Sequence, residues 1–218
     1  MTRLEIIARF RAEVPEVTER VATDVVVAGW CLDADKEICA VTRCIVSDVA
    51  FSSVVSTSVY DTRYDLSSNI AKFYDIDDLP GGGVSFDEEP LEKTTVAELD
   101  RESPSWRERV AGTPDKWYRR GKYLYFDRPV KTAGLSIRVY AVLISDDFNN
   151  DNKKPYNELA YLEPFHRGIV EYLKWQGKRK IGKPGEADQA QKEFYAYTAF
   201  MKKSIGGNKY SNIYFQPK

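Results

Sequence analysis

The sequence predicts an α+β protein. The expected form is a four-helix bundle built from N- and C-terminal helix pairs, with a β-rich insert between them and an extended C-terminal arm. Three observations predict it. Apolar residues recur at steps of three and four over 4–45 and again over 165–205. Between them lies a stretch rich in Val, Ser, Thr and Tyr, with partial alternation and Gly/Pro punctuation. The ending "NKYSNIYFQPK" carries aromatics in no regular period and has no acids. The boundaries read as 1–48 with 155–206 for the bundle, 49–154 for the insert and 207–218 for the arm.

The first helix, "RLEIIARFRAEV", places Leu4, Ile7 and Phe10 on one face with Val14 following. Pro15 pushes Val14 out of helical backbone, so the helix ends there. Thr23 or Asp24 caps a second helix. Its apolar side runs Val27, Trp30, Ala34, Ile38, Val41, Ile45, with Cys31 beside Trp30. "FSSVVSTSVYDTRYDL" reads as extended. "GVSFDEEPLEKTT" reads as a short hairpin and "TVAELDRE" as one or two helical turns.

"GTPDKWYRRGKYLYFDRPV" follows, at 112–130. "KWYRR" is one strand, Gly121-Lys122 a tight turn and "YLYFDRP" the return. "AGLSIRVYAVLISDD" is a further strand. After the polar loop "DDFNNDNKKP", Pro164 suits a helix start. Phe165, Ile169, Tyr172, Leu173 and Gln176 share a side, and Gly177 loosens that helix's end. The last helix repeats Ala187, Ala190, Phe194, Tyr197, Met201 and Ile205 until Gly206 and Gly207 stop it.

With 218 residues, 43% hydrophobic and 30% charged, the chain has room for a real core and is not disordered. No apolar run approaches the roughly 20 residues that span a bilayer, and "MTRLEIIARFRAE" has no signal-peptide core. Charge is uneven. Residues 61–104 hold twelve acids against four bases, whereas 165–218 hold eleven bases against four acids. That pattern is either two solvated faces or surfaces of opposite sign meeting neighbouring subunits or partners.

Little in the chain points to bond-making chemistry. The spacing of Cys31, Cys39 and Cys44 fits no zinc pattern, and they read as small apolar helix residues. The single histidine, His166, sits near a helix start, where a surface or capping role is expected. No G-x-S-x-G or Walker A occurs. "PGGGV" follows Asp77 and Asp78, which would repel phosphate. "DIDD" and "DADKE" lack the spacing of a calcium loop. A dispersed carboxylate pair is the one enzyme reading left. No cofactor or metal is expected.

What remains is contact surface. On the hairpin these are Trp117, Tyr118, Tyr123 and Tyr125, half of which should face the insert's core by alternation. Arg119 and Arg120 are candidates for a neighbour's acids. Lys178, Arg179 and Lys180 are candidates for a protein partner or a DNA backbone, and Tyr210, Tyr214 and Phe215 for anchors of the arm. The arm could order by adding to a neighbour's sheet or groove. "KWQGKRKIGK" and the Lys- and Tyr-bearing tail support an alternative, a nucleic-acid-binding protein using the basic C-terminal third.

Several stretches taken in order resemble one family. "LEIIARFRAEVPEVT" opens the chain and "DADKEICAVTR" closes the second helix. "YDTRYDLSSNIAKFYDID", "VAELDRESPSWRERVAGTPDKWYRRGKYLYFDRPV" and "LSIRVYAVLISDD" follow. "LEPFHRGIVEYLKWQGKRKIGKPGEADQAQKEFYAYTAFMKKSIGG" ends the match. Over 1–205 this succession is similar to phage head-to-tail adaptor (connector) proteins, of the podovirus and crAss-like type. It departs from the family at "FYDIDDLPGGGVSF", where the family has a shorter connection. The resemblance implies a structural, non-enzymatic virion protein at the head–tail neck, assembled in the host bacterial cytoplasm. It also implies a homo-oligomeric ring, a dodecamer, docked on the portal protein and joined to a downstream tail or ring protein. DNA would pass through its lumen without sequence recognition, and no membrane is involved.

Overall fold

A computed structural model describes residues 1–77, 82–145 and 148–209. The chain divides into two compact units, Met1–Ile45 with Ile144–Lys218, and Val46–Leu143.

In the first unit, α1 (Arg3–Glu13) starts on a capping box. The Glu5 N–H donates to Thr2 Oγ1 at 3.3 Å and the Thr2 N–H to Glu5 Oε2 at 2.8 Å. The helix ends at Val14, ahead of Pro15. Its buried face is Ile6, Ile7 and Phe10, and Leu4, expected on that face, is 57% exposed. Thr23 caps α2 (Asp24–Thr42). Val27, Cys31, Ala34 and Ile38 form the expected stripe. A second buried row of Asp35, Cys39 and Thr42 runs beside it, and Val41 turns outward.

After a 3-10 stretch at Ala160–Phe165 come α5 (His166–Lys180) and α6 (Pro184–Lys209). On α6 the buried residues are Ala187, Ala190, Phe194, Thr198, Met201 and Ile205; Thr198 rather than Tyr197 completes the row. The connection before α5 is part of this core, because Phe148, Tyr156 and Leu162 are fully buried. It is also tied to α1. The N–H groups of Arg3 and Leu4 donate to the carbonyls of Lys153 and Asp151 at 3.0 and 3.1 Å.

Among its described residues, the second unit carries nine strands in two sheets. They are β1 (Val46–Ser52), β2 (Tyr64–Asp65), β3 (Phe73–Ile76), β4 (Val84–Phe86), β5 (Glu89–Pro90), β6 (Glu92–Lys93), β7 (Lys116–Arg120), β8 (Tyr123–Phe126) and β9 (Ser136–Leu143). In one sheet the long β9 is central. It pairs antiparallel with β1 on one side and with β3 and β4 on the other, and β4 pairs with β5. The other sheet runs β2-β8-β7-β6. A core of Tyr64, Phe86, Trp117, Leu124, Phe126 and Ile137, among others, joins the two sheets. Two short helices, α3 (Leu66–Asn69) and α4 (Val96–Glu102), lie within this segment.

The architecture corrects the expected four-helix bundle with a β insert. The protein is α+β, but its described residues hold six α-helices and two sheets. The helical unit depends on an irregular buried connection as much as on helix stripes. Periodicity identified the helices but carried no information on the loop residues that fill the space between them. Two further expectations change. α6 runs through Gly206 and Gly207 to Lys209, since glycine only weakens a helix. The extended reading of 51–66 holds for β1's end and for β2, while the segment between them is turns and loop. The rest of the expected arm, from Tyr210, lies outside the described residues.

Candidate interaction surfaces

The β7–β8 hairpin forms as its sequence predicts. Trp117 pairs with Phe126, Tyr118 with Tyr125, Arg119 with Leu124 and Arg120 with Tyr123. The turn is Gly121-Lys122, and Gly121 sits at φ +63, where a side chain would be strained.

Half of the hairpin aromatics are expected to face the insert's core; one of the four does, and the sheet's other face is covered by a second cluster. Trp117 points into the core between the sheets. Tyr118 points the other way, into a second cluster with Val59, Leu99 and Trp106. Tyr118 meets Trp106 edge-on at 5.9 Å and stacks on Tyr125 at 5.1 Å with 7° between planes. Burial pushes the Tyr118 hydroxyl up to about 12. Tyr123 and Tyr125 are half-buried. Tyr123 lies between Arg63 and Lys122, 5.0 and 5.3 Å from its ring centre.

Beside the stacked tyrosines is a small cleft of about 110 Å³, lined by Tyr60, Trp106, Arg107, Tyr118, Arg120 and Tyr125 among others. Arg107 is committed there. It bonds Asp100 and donates to Tyr60 Oη at 2.5 Å, contacts that raise its pKa and lower that of Asp100. Arg119 is also committed, to Asp75 and to the Gly121 carbonyl at 2.6 Å, with Phe73 under its guanidinium. Arg120 is exposed at the cleft's rim.

Asp127, in the "FDRP" end of the hairpin, is fully buried. It accepts from the N–H groups of Asp115 and Lys116, both at 3.0 Å, and pairs with Arg109. It therefore pins the loop entering β7 to the strand leaving β8. Sequence reading missed both Asp127 and Trp106. An acid directly after an apolar strand end, and a tryptophan in the polar turn "SPSW", were the available signals.

In the helical unit, a cleft of about 440 Å³ is lined by α1, α5 and α6 residues including Glu13, Lys174, Lys178, Glu186 and Glu193. Its charges are matched internally. Lys178 bonds Glu16 and lies 2.5 Å from Glu186, and it holds the Glu16 carboxyl down at about 2. Burial works against ionising Glu13, but Arg167 and Arg9 hold it at about 2. Of the basic trio, only Arg179 and Lys180 are exposed, and Lys180 lies 5.8 Å from the Trp30 ring centre. The expected contact residues Tyr210, Tyr214 and Phe215 lie outside the described residues.

His166 is buried rather than a surface or capping residue. Its Nδ1 is 2.7 Å from the Met1 amine, and burial together with that amine lowers it to about 4. Burial raises Asp35 to about 6, and its Oδ1 accepts the Tyr156 N–H at 3.1 Å. Cys31, Cys39 and Cys44 are all buried thiols, with burial pushing Cys31 up to about 12. Among the described residues, no group of three or more His, Cys, Asp or Glu is placed to hold a metal ion, and no helix is long and apolar enough to cross a membrane.

The described residues define an α+β protein of two compact units, one helical and one built on two sheets. Over residues 1–211 the sequence matches the SU10 adaptor protein family, and the chain belongs to that family. It is a phage adaptor with a structural role. No curated protein matches the chain.

Proposed function

We propose that this chain is the head-to-tail adaptor subunit of a phage virion, of the podovirus or crAss-like type. Its copies close into a ring, which docks on the portal and joins it to a downstream tail protein. DNA passes through the lumen without sequence recognition. The observation that carries this reading is the family match, which runs along almost the whole chain. The concentration of acids in 61–104 and of bases in 165–218 supports it, since a head-to-tail ring needs two lateral faces that differ and fit each other. The test is negative-stain imaging of the purified chain mixed with its portal. Closed rings seated on portals are expected; bare portals and monomers would refute the reading.

One observation favours a second reading, direct nucleic-acid binding by the C-terminal third. Arg179 and Lys180 are exposed at the end of α5, with Trp30 beside Lys180. Because Lys178 is held by Glu16 and Glu186, the clean variant is Arg179→Glu with Lys180→Glu. Binding with a steep salt slope that this double variant abolishes would support the second reading.

A further inference from the structure

Strand β1 has an open edge. Among the described residues it pairs with β9 alone, in continuous register from Val46↔Val142 to Ser52↔Ser136. The hydrogen bonds define which of its backbone groups face outward. The Ser53 N–H donates to Leu135, its register partner, at 2.8 Å. On β9, Ser136 and Tyr140 instead serve the opposite side, through Asp87 at 2.7 Å and Gly83 at 3.0 Å. Antiparallel alternation then turns Ser47, Val49 and Phe51 toward β9, and leaves the N–H and C=O groups of Asp48, Ala50 and Ser52 pointing away from it. Among the described residues, no backbone partner meets them. β1 has no Pro, Lys or bulge to blunt that edge.

The core is also incomplete at this margin. Val49 and Phe51 pack against the inter-sheet core but stay only partly covered. A strand laid along β1 with apolar residues on that face would finish covering them.

The chain contains such a strand. β1 reads Ser47-Asp48-Val49-Ala50-Phe51, and the C-terminal tail reads Ser211-Asn212-Ile213-Tyr214-Phe215. The two share the pattern Ser-x-(β-branched)-x-Phe, with polar or small residues between. Seven residues, Tyr210–Gln216, precede Pro217, which cannot donate to a ladder, and β1 is seven residues long.

We propose that the tail of one copy adds as a strand to the β1 edge of a neighbouring copy. Ile213 and Phe215 then lie beside Val49 and Phe51. This names a subunit-to-subunit contact and rests on the ring reading above.

Two arms of one experiment test it. In the first, Ala50→Cys chains are mixed with Asn212→Cys or Tyr214→Cys chains on portal and oxidised. The native thiols are buried, so background is low. A disulfide between two chains is expected through 214, which lies opposite residue 50 whichever way the tail runs; 212 is the off-register control. Rings that form without such a link, or a double variant that links only within a single chain, overturn the proposal and leave the ring reading standing.

The second arm needs no ring. A labelled peptide of residues 209–218 is titrated into full-length chain carrying Ile213→Asp and Phe215→Asp, whose own tail no longer competes. Saturable binding is expected. Ala50→Pro, which removes an outward N–H and spares the bonds to β9, should weaken it at least tenfold at unchanged thermal stability. An Ile213→Asp peptide, which cannot disturb the acceptor's fold, should not bind. Absent binding, or binding indifferent to both changes, overturns the proposal even if no ring forms in the first arm.

Discussion

Gly177 on α5 faces the ring of Phe10 on α1 so closely that any side chain there would have to push its neighbours aside. A Cβ at 177 would lie 3.0 Å from Phe10 Cζ and 3.1 Å from Val17 Cγ2. The sequence suggests that Gly177 loosens a helix end. Instead the helix continues to Lys180, and the glycine lets α1 and the Val17 loop approach. Gly177→Ala should therefore destabilise the protein by about 1–3 kcal/mol through overpacking, although alanine is the better helix former. Adding Phe10→Leu should cost less than the two single changes summed, because both act on one contact. Thermal unfolding of the four-member cycle checks this.

Trp106 anchors the second cluster of the β unit, fully buried against Tyr118, with its indole N–H on Asp100 at 2.9 Å. Trp106→Ala is expected to cost about 3–5 kcal/mol. It also removes the wall of the Tyr118–Tyr125 cleft, so near-ultraviolet dichroism from the stacked tyrosines should fall with it.

Asp127→Ala leaves two backbone donors, Asp115 N–H and Lys116 N–H, without their acceptor, at a cost of about 1–3 kcal/mol. Asp127→Asn keeps an acceptor oxygen and should recover part of that loss. Hydrogen exchange at the 115 and 116 amides should rise in the alanine variant more than in the asparagine one.

Two buried groups of the helical unit make opposing pH dependences. Asp35 titrates at about 6 when folded, against roughly 4 unfolded. The folded state thus holds the extra proton, and stability falls as pH rises from 4 through 6. His166 titrates at about 4 when folded, against roughly 6.5 unfolded. There the unfolded state takes the proton, and stability falls as pH drops from 6.5 through 4. Each effect is worth about 1–3 kcal/mol. The intact protein should therefore change little over this window. Asp35→Asn should expose loss of stability on acidification, and His166→Gln the opposite slope. A melting-temperature series from pH 4 to 7 decides.

Local order was legible in the sequence wherever one residue's chemistry suffices. The Thr23 cap, the break at Pro15, the Gly121-Lys122 turn and the helix over 187–205 follow from capping, turn chemistry and period. The contact candidates were less legible. Of the hairpin aromatics, Trp117 and Tyr118 are taken up by packing inside the chain, and Lys178 is occupied by Glu16 and Glu186. Nothing in "KWYRR" says that both faces of its sheet will be covered, because the covering residues, Trp106 and Leu99, come from a different stretch.

By itself, then, the sequence determined the class α+β, the positions of its main helices and hairpins, and membership of an adaptor family through the order of its parts. Only the tertiary structure decided that the helical unit is completed by a buried connection around Tyr156. It alone decided that Gly177 is a point of close approach, that Asp127 is a clamp and that β1 keeps an open edge. The physical reason is range. Caps, turns and periodic stripes are set within a few residues, whereas burial and the pairing of charges and backbone groups depend on segments distant in the chain.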